Sequence, residues 1–336
     1  MVTIRDVARR LNLSITTVSR ALDGYTDVSE QTRQRVRQAA AEMGYFPNHA
    51  ARQLRRHQSD TIGFVLPAGA PRFNDPFFAE FLSGIGDAAG KANYDVLVSV
   101  AAPDSQEEKV LYRRWIQERK VDGWLITRTR WQDWRIRVLT EAGIPFVCLG
   151  KSIDGNLYPF IEIEAQESIA GLVTHLAEKG YRRIGYIGAA DDLVLQRARY
   201  QGYLKGLEQC GLPYNSQWIE GGALTRQSGY LGMKRLLERG VPPDAVVCVN
   251  DLTALGAYRA VREAGRVIGR DIGISGFDGI EEAAQADPPL TTLAYSVYEV
   301  ARAMTMVLLE SIQNANLLPK EQIIIPELIL RASTAD

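Results

Sequence analysis

The sequence predicts an α/β protein: a body of two lobes built on parallel sheets, preceded by a small three-helix head. Three observations carry the prediction. From residue 61 onward, apolar runs of strand length alternate with helical segments, in two successive series. The first 46 residues hold no such run and show three capped helical patterns instead. Charge is also divided unevenly. Residues 1–60 carry ten arginines and no lysine against six acids, a net of +4, so the rest of a chain whose total is −1 carries −5. A basic head on an acidic body points to a polyanionic partner for the head.

In the head, Thr3 is placed to cap a helix running to about Leu11, with Asp6 three residues on as its partner in a capping box. Ser14 caps the next, about Ile15 to Leu22, after a turn of only a few residues. Ser29 opens a third, with Val36, Ala39, Ala40 and Met43 facing inward and Gly44 as its stop. Pro47 then breaks the chain, Asn48 is a fresh cap, and residues 49–56 suit a helix too short to be stable alone in water. These signals divide the chain into a head (1–46), a hinge and linker (47–60) and a body (61–336). In the body, TIGFVLP (61–67), YDVLVSV (94–100), VDGWLIT (121–127) and PFVCLG (145–150) make one strand series. RIGYIG (183–188), AVVCVN (245–250) and IGISGF (272–277) make a second. Unbroken apolar strands separated by helices indicate parallel sheets covered on both faces. In such sheets ligands bind beyond the carboxyl ends of the strands, so a cleft between two lobes is the expected site.

The composition narrows the function. The chain has 336 residues, 46% hydrophobic and 24% charged, enough for two or three folded domains. No run of 18 apolar residues occurs, so no membrane span is expected. The start, MVTIRDVARR, lacks an apolar h-region and a small-residue cleavage site. Cys148, Cys210 and Cys248 sit in or beside apolar stretches and show no zinc spacing. Together these indicate a cytoplasmic protein with reduced thiols. Enzyme signatures fail. The glycines of GIGDAAG (84–90) miss the dinucleotide spacing and fall inside a helical run. No P-loop, H-E-x-x-H or G-x-S-x-G occurs, and of the three histidines His49 and His57 lie near the head, leaving only His175 in the body. No catalytic residue, cofactor or metal is expected.

The second helix, ITTVSRAL, turns Val18, Ala21 and Leu22 to one side and short hydroxyls with one arginine to the other. Two capped helices joined by a tight turn, the second bearing such residues at its start, read as a helix-turn-helix. Ile15, Thr16 and Arg20 are expected to read bases, and Thr17 and Ser19 to hold phosphates, with Thr3 also among the DNA contacts.

These residues resemble the LacI/GalR family of bacterial transcriptional repressors. The resemblance begins with TIRDVARRLNLSITTVSRALDG and VSEQTRQRVRQAAAEMGYFPNHAARQLR. It continues in order through TIGFVLP, VDGWLI, HLAEKGYRRIGYIG, RYQGY, AVVCVNDLTALGA, IGISGFD, PPLTTL and LILRAST. It implies a homodimer that sets two heads on a near-palindromic operator, and a periplasmic-binding-protein-like body with a small effector in its cleft. The family fold crosses between lobes three times, which assigns about 61–160 and 294–320 to the first lobe and about 161–293 and 321–336 to the second. Residues about 77–92, 94–120 and 280–320 are the implied dimer contact, and no leucine-heptad tail follows LRASTAD, so a dimer is expected. In the hinge, Leu54 matches a leucine that wedges into the minor groove, and Arg52, Arg55 and Arg56 are placed to meet phosphate.

Carried over position by position, the resemblance also implies an effector pocket. Phe77 and Phe78 match aromatic positions at the cleft, with Asp75 nearby. Arg128 and Asp133 of RTRWQDWR follow the third strand, with Arg130 and Trp131 beside them. Arg199 of RYQGY matches a ligand-binding arginine, and Asn250 and Asp278 end strands of the second lobe. The chain departs from the pattern at Leu224, where family members often carry an aromatic platform. A sugar or glycoside acting as inducer is the expected effector, with a purine or nucleoside corepressor as the alternative. A cytoplasmic sugar-binding protein without a DNA role is the competing class.

Overall fold

The computed structural model describes residues 2–23, 25–45, 58–67, 75–153, 157–314 and 319–334. The chain separates into two units, Met1–Ser59 and Asp60–Asp336. In the first, α1 (Ile4–Leu11), α2 (Ile15–Leu22) and α3 (Glu30–Glu42) each begin at a polar cap: Thr3, Ser14 and Ser29. Asn12 ends α1 in the left-handed region, at φ 51°. That conformation suits a short polar side chain and lets the chain turn within two residues into the Ser14 cap. Val7 and Ala8 of α1, Val18 and Ala21 of α2, and Val36 and Ala39 of α3 close one small core with Val28.

The second unit carries two six-stranded sheets. The first lobe runs β1 (Thr61–Pro67), α4 (Pro76–Lys91), β2 (Asp95–Ala101), α5 (Gln106–Gln117), β3 (Gly123–Ile126), α6 (Trp134–Ala142), β4 (Phe146–Leu149) and β5 (Phe160–Ile163). The second follows with α7 (Gln166–Glu178), β6 (Ile184–Ile187), α8 (Val194–Gln209), β7 (Ile219–Glu220), α9 (Arg226–Leu237) and β8 (Ala245–Cys248). It goes on with α10 (Asp251–Glu263), β9 (Gly273–Asp278), the short α11 (Glu281–Gln285) and β10 (Thr291–Ala294). Then α12 (Val297–Gln313) and β11 (Glu321–Ile324) return to the first lobe, and β12 (Glu327–Ile329) to the second. Strand order is β11-β5-β4-β3-β1-β2 in one sheet and β12-β10-β9-β8-β6-β7 in the other. Every pairing is parallel except β12 with β10.

Each sheet is buried on both faces, which is why its central strands are apolar without alternation. Two core clusters cover the first sheet, one with Phe64, Phe81 and Met304, the other with Trp115, Trp124 and Phe146. Two more cover the second. The GIGDAAG segment lies within α4 and answers to packing. A Cβ on Gly84 would meet the Tyr298 carbonyl oxygen at 2.3 Å, so glycine lets α4 and α12 approach backbone to backbone.

One boundary is corrected. The sequence placed 321–336 in the second lobe, but Glu321–Ile324 pairs in parallel with β5 of the first. The third crossing falls at Ile325-Pro326, where proline interrupts what reads as one apolar run, EQIIIPELIL. Among the described residues, no helix is long and apolar enough to cross a membrane.

Candidate functional site

In the head unit the Ser14 side chain accepts from the Thr17 amide at 3.0 Å and meets the Thr17 hydroxyl at 2.8 Å. That bond fixes the start of α2. Packing of Val18 and Ala21 then turns Ile15, Thr16 and Arg20 outward, with Ile15 45% exposed. Arg20 lies 2.5 Å from Asp27 and over the Tyr25 ring, 5.0 Å from its centroid. An exposed ion pair of this kind is worth about 1 kcal/mol or less, so it orders the arginine without locking it away. Thr3 is exposed; its amide and hydroxyl donate to one oxygen of Asp6, and these bonds hold that carboxyl below its usual range.

Ser19 is corrected. It is only 5% exposed, and its hydroxyl points back to Asp23 at 3.3 Å. One position after Val18, it falls on the packed side of α2. Arg52, Leu54 and Arg55, expected in the hinge, lie outside the described residues.

In the body unit a cavity lies between the lobes at the carboxyl ends of both sheets. Phe77, Arg128, Arg199, Leu224, Asn250 and Asp278, all marked from the sequence, line it together. Each is positioned by a local structural device. Asp75 caps α4 by accepting from the Phe77 amide, and its other oxygen accepts from Arg128 at 2.9 Å. Arg128, just past β3, also donates to the Pro67 carbonyl, and its backbone is held at φ 48°. Asn250 caps α10 and lines the cavity: its Oδ1 accepts from the amide and hydroxyl of Thr253. Arg199 donates to the Val249 carbonyl and, at 3.1 Å, to Asp278, while its guanidinium lies 3.7 Å from the Phe277 ring centroid. Asp278 ends β9 in the left-handed region, at φ 108°, and also accepts from the Tyr295 hydroxyl at 3.2 Å.

Two marked residues are not part of the lining. Phe78 is 1% exposed and packs in the first-lobe core, since it sits one position, about 100° of helix, from Phe77. Asp133 is 1% exposed and caps α6; it accepts from the Arg130 and Arg135 amides and from the Arg135 guanidinium at 2.7 Å. Its bond to Arg135, the strongest counter to burial, keeps its carboxyl below the usual range. The lining also holds Thr127, Glu162 and Tyr295, which the sequence reading missed. All three lie at the carboxyl ends of strands or at a crossing, and that rule alone would have found them. The Thr127 hydroxyl is buried with no hydrogen-bond partner, leaving a polar group at the cavity wall unspent.

The cavity is rich in carboxyls under strain. Burial, partly offset by Arg128, pushes Asp75 up to about 6; Asp278 is raised by burial against the pull of Arg199. Behind them Asp251 is fully buried and accepts from the amides of Gly279 and Ile280, at 2.8 and 2.9 Å, and from the Thr292 hydroxyl at 2.6 Å. It thereby holds the turn that aims Asp278. Burial first, and the charge of Asp278 second, push Asp251 up to about 8. The fold therefore binds this proton more tightly than the unfolded chain does. The associated stability is complete below the ordinary carboxylate range near 4 and is lost as pH rises through about 8. Asp251→Asn, which stays neutral, is expected to gain about 2–4 °C of Tm relative to wild type between pH 6 and pH 9. Melting curves followed by circular dichroism check this, and a difference in Tm that does not change with pH contradicts it. Among the described residues, no group of three or more His, Cys, Asp or Glu is placed to hold a metal ion.

The geometry agrees with known proteins. Residues 3–48 match the family model of bacterial regulatory proteins, lacI family, and residues 173–334 match the periplasmic binding protein-like domain. The HTH-type transcriptional regulator AglR of Rhizobium meliloti (strain 1021) is 35% identical over 99% of this chain and 94% of its own length. A solved complex of the transcriptional regulator CelR with cellobiose superposes with a TM-score of 0.77 at 28% identity, covering 99% of this chain and all of that one. The Lac repressor dimer bound to operator and the anti-inducer ONPF gives 0.85 at 27% identity, covering 100% of this chain and 99% of that one. With a reading head of three capped helices and a polar cavity between two parallel-sheet lobes, the chain belongs to the LacI family of bacterial transcriptional regulators.

Proposed function

We propose that the protein is a cytoplasmic, non-enzymatic repressor that binds a near-palindromic operator as a homodimer and releases it when a carbohydrate fills the cavity. The observation that carries the effector reading is the lining itself. Arg199 and Asp278, Arg128 and Asp75, together with Asn250, offer donors and acceptors in adjacent pairs, as vicinal hydroxyls require. Thr16 and Arg20 read base edges, Ile15 supplies an apolar contact, Thr3 and Thr17 meet the backbone, and Arg52, Leu54 and Arg55 engage the adjacent groove. The operator-bound Lac repressor dimer and the cellobiose-bound CelR are whole-chain likenesses that favour each part of this reading. Leu224 at the cavity wall leaves one stacking surface aliphatic, so it does not favour a carbohydrate over a nucleoside, and the carbohydrate reading rests on the paired polar groups. The test is to titrate monosaccharides, disaccharides and nucleosides against the protein bound to its selected operator. Release by a carbohydrate supports the reading; tightening by a nucleoside alone overturns it.

A further inference from the structure

An acid stands against the arginine assigned to base reading. Asp27, in the loop between α2 and α3, meets Arg20 Nη2 at 2.5 Å, and the Tyr25 ring centroid lies 5.0 Å from the same guanidinium. The loop that presents both side chains is tied down. The Tyr25 amide donates to the Arg20 carbonyl at 3.0 Å, which fixes the ring to the main chain of the arginine it covers. The Val28 amide then donates to the Tyr25 carbonyl at 3.3 Å, Val28 is buried in the head core, and Ser29 caps α3. Asp27 therefore sits on a closed turn anchored at both ends. All three side chains stay open to solvent: those of Arg20 and Asp27 are 44% and 51% exposed, and Tyr25 is 48% exposed.

Stability does not account for this arrangement. An exposed ion pair contributes little to folding, and a tyrosine half in water buries little apolar surface. General attraction to DNA does not account for it either, because a carboxylate beside the reading arginine repels phosphate. What the arrangement supplies is order. A free arginine gives up rotamer freedom when it contacts a base. One whose guanidinium is already placed gives up less. Asp27 takes one nitrogen and Tyr25 covers a face. The guanidinium keeps further donors for the two acceptors on a guanine edge.

We propose that Asp27 and Tyr25 are positioning residues for operator reading: they hold the Arg20 guanidinium in the orientation that selects a guanine. An acidic side chain thus raises discrimination between sequences while lowering attraction to DNA in general. The proposal rests on the reading of Arg20 given above.

The test uses full-length protein and three kinds of duplex: one that wild type selects from a randomised library, the same duplex with each selected guanine replaced, and a random one. Fluorescence anisotropy at one salt concentration gives all affinities. Asp27→Asn is expected to lower the ratio of selected to random affinity about tenfold. It is expected to leave random-duplex affinity equal or higher, and to flatten the guanine preference at the position that Arg20→Ala also flattens. Tyr25→Leu is expected to lower the same ratio about threefold, and Tyr25→Phe, which keeps the ring, to match wild type. In an Arg20→Ala background, Asp27→Asn is expected to leave the ratio where Arg20→Ala alone puts it, which a carboxylate acting only on folding would not do. A ratio in Asp27→Asn that is unchanged, or that rises and so makes Asp27 a competitor for Arg20, overturns the positioning role and leaves the repressor reading standing. So does an effect that persists in full without Arg20. A guanine preference untouched by Arg20→Ala overturns the reading of Arg20 together with the proposal, and a wild type that prefers no duplex overturns the repressor reading itself.

Discussion

Arg199→Lys is expected to weaken effector binding about 100-fold, or roughly 2.8 kcal/mol at 1.4 kcal/mol per tenfold, while leaving operator affinity in the absence of effector within a few-fold. The arginine does three things at once: it donates to the Val249 carbonyl, donates to Asp278 and sits over the Phe277 ring, 3.7 Å from its centroid. Lysine keeps the charge that Asp278 needs and loses the planar fork that meets two acceptors and a ring together. Alanine would be a poorer probe. Removing one partner of a buried ion pair strands the other, at a cost of about 3–5 kcal/mol, and that would destabilise the second lobe itself. Calorimetric titration of the lysine variant with the carbohydrate that wild type binds, next to its melting curve, separates binding from folding. An unaltered effector affinity would remove Arg199 from the site.

Arg20→Ala is expected to lower operator affinity by about 1–3 kcal/mol per head, the discrimination of one bidentate contact to a base. In a dimer that sums to roughly 30-fold to 10⁴-fold. Binding to random duplex should change far less, because the body of non-specific affinity comes from many phosphate contacts and follows salt. The Asp27 ion pair that holds Arg20 in the free protein is exposed on both sides and subtracts little from this. Fluorescence anisotropy on operator and on random DNA at one fixed salt concentration measures both numbers. A variant that loses both affinities equally would make Arg20 a phosphate contact and not a reader.

The residues that could be read from sequence were those with one job written into their local pattern. The caps Thr3, Ser14 and Ser29 stand where a helix must start, and the apolar strands stand where a two-faced parallel sheet demands them. Arg128, Arg199, Asn250 and Asp278 meet in one cavity because strand ends and first helical turns converge there. The misses have a common cause. Ser19 and Phe78 each lie one residue from a side chain that faces outward or into the cavity, Arg20 and Phe77, and which way a helical side chain points depends on which face of the helix packs. Asp133 has a cap to make and a guanidinium to hold, and such a bond network is invisible in a linear pattern. Glu162 and Tyr295 sit where the chain passes from one lobe to the other, and their role follows only once the crossings are known. The assignment of Glu321–Ile324 to the wrong lobe belongs with these: a short edge strand carries too little burial to show which sheet it joins.

The most direct measurement is the operator dissociation constant of one protein preparation, at one salt concentration, with and without saturating carbohydrate. Linkage between cavity and head predicts a 5- to 150-fold weakening, about 1–3 kcal/mol of coupling, and the same factor in carbohydrate affinity when operator is bound. A carbohydrate that binds the cavity tightly and leaves the operator constant unchanged would contradict the account.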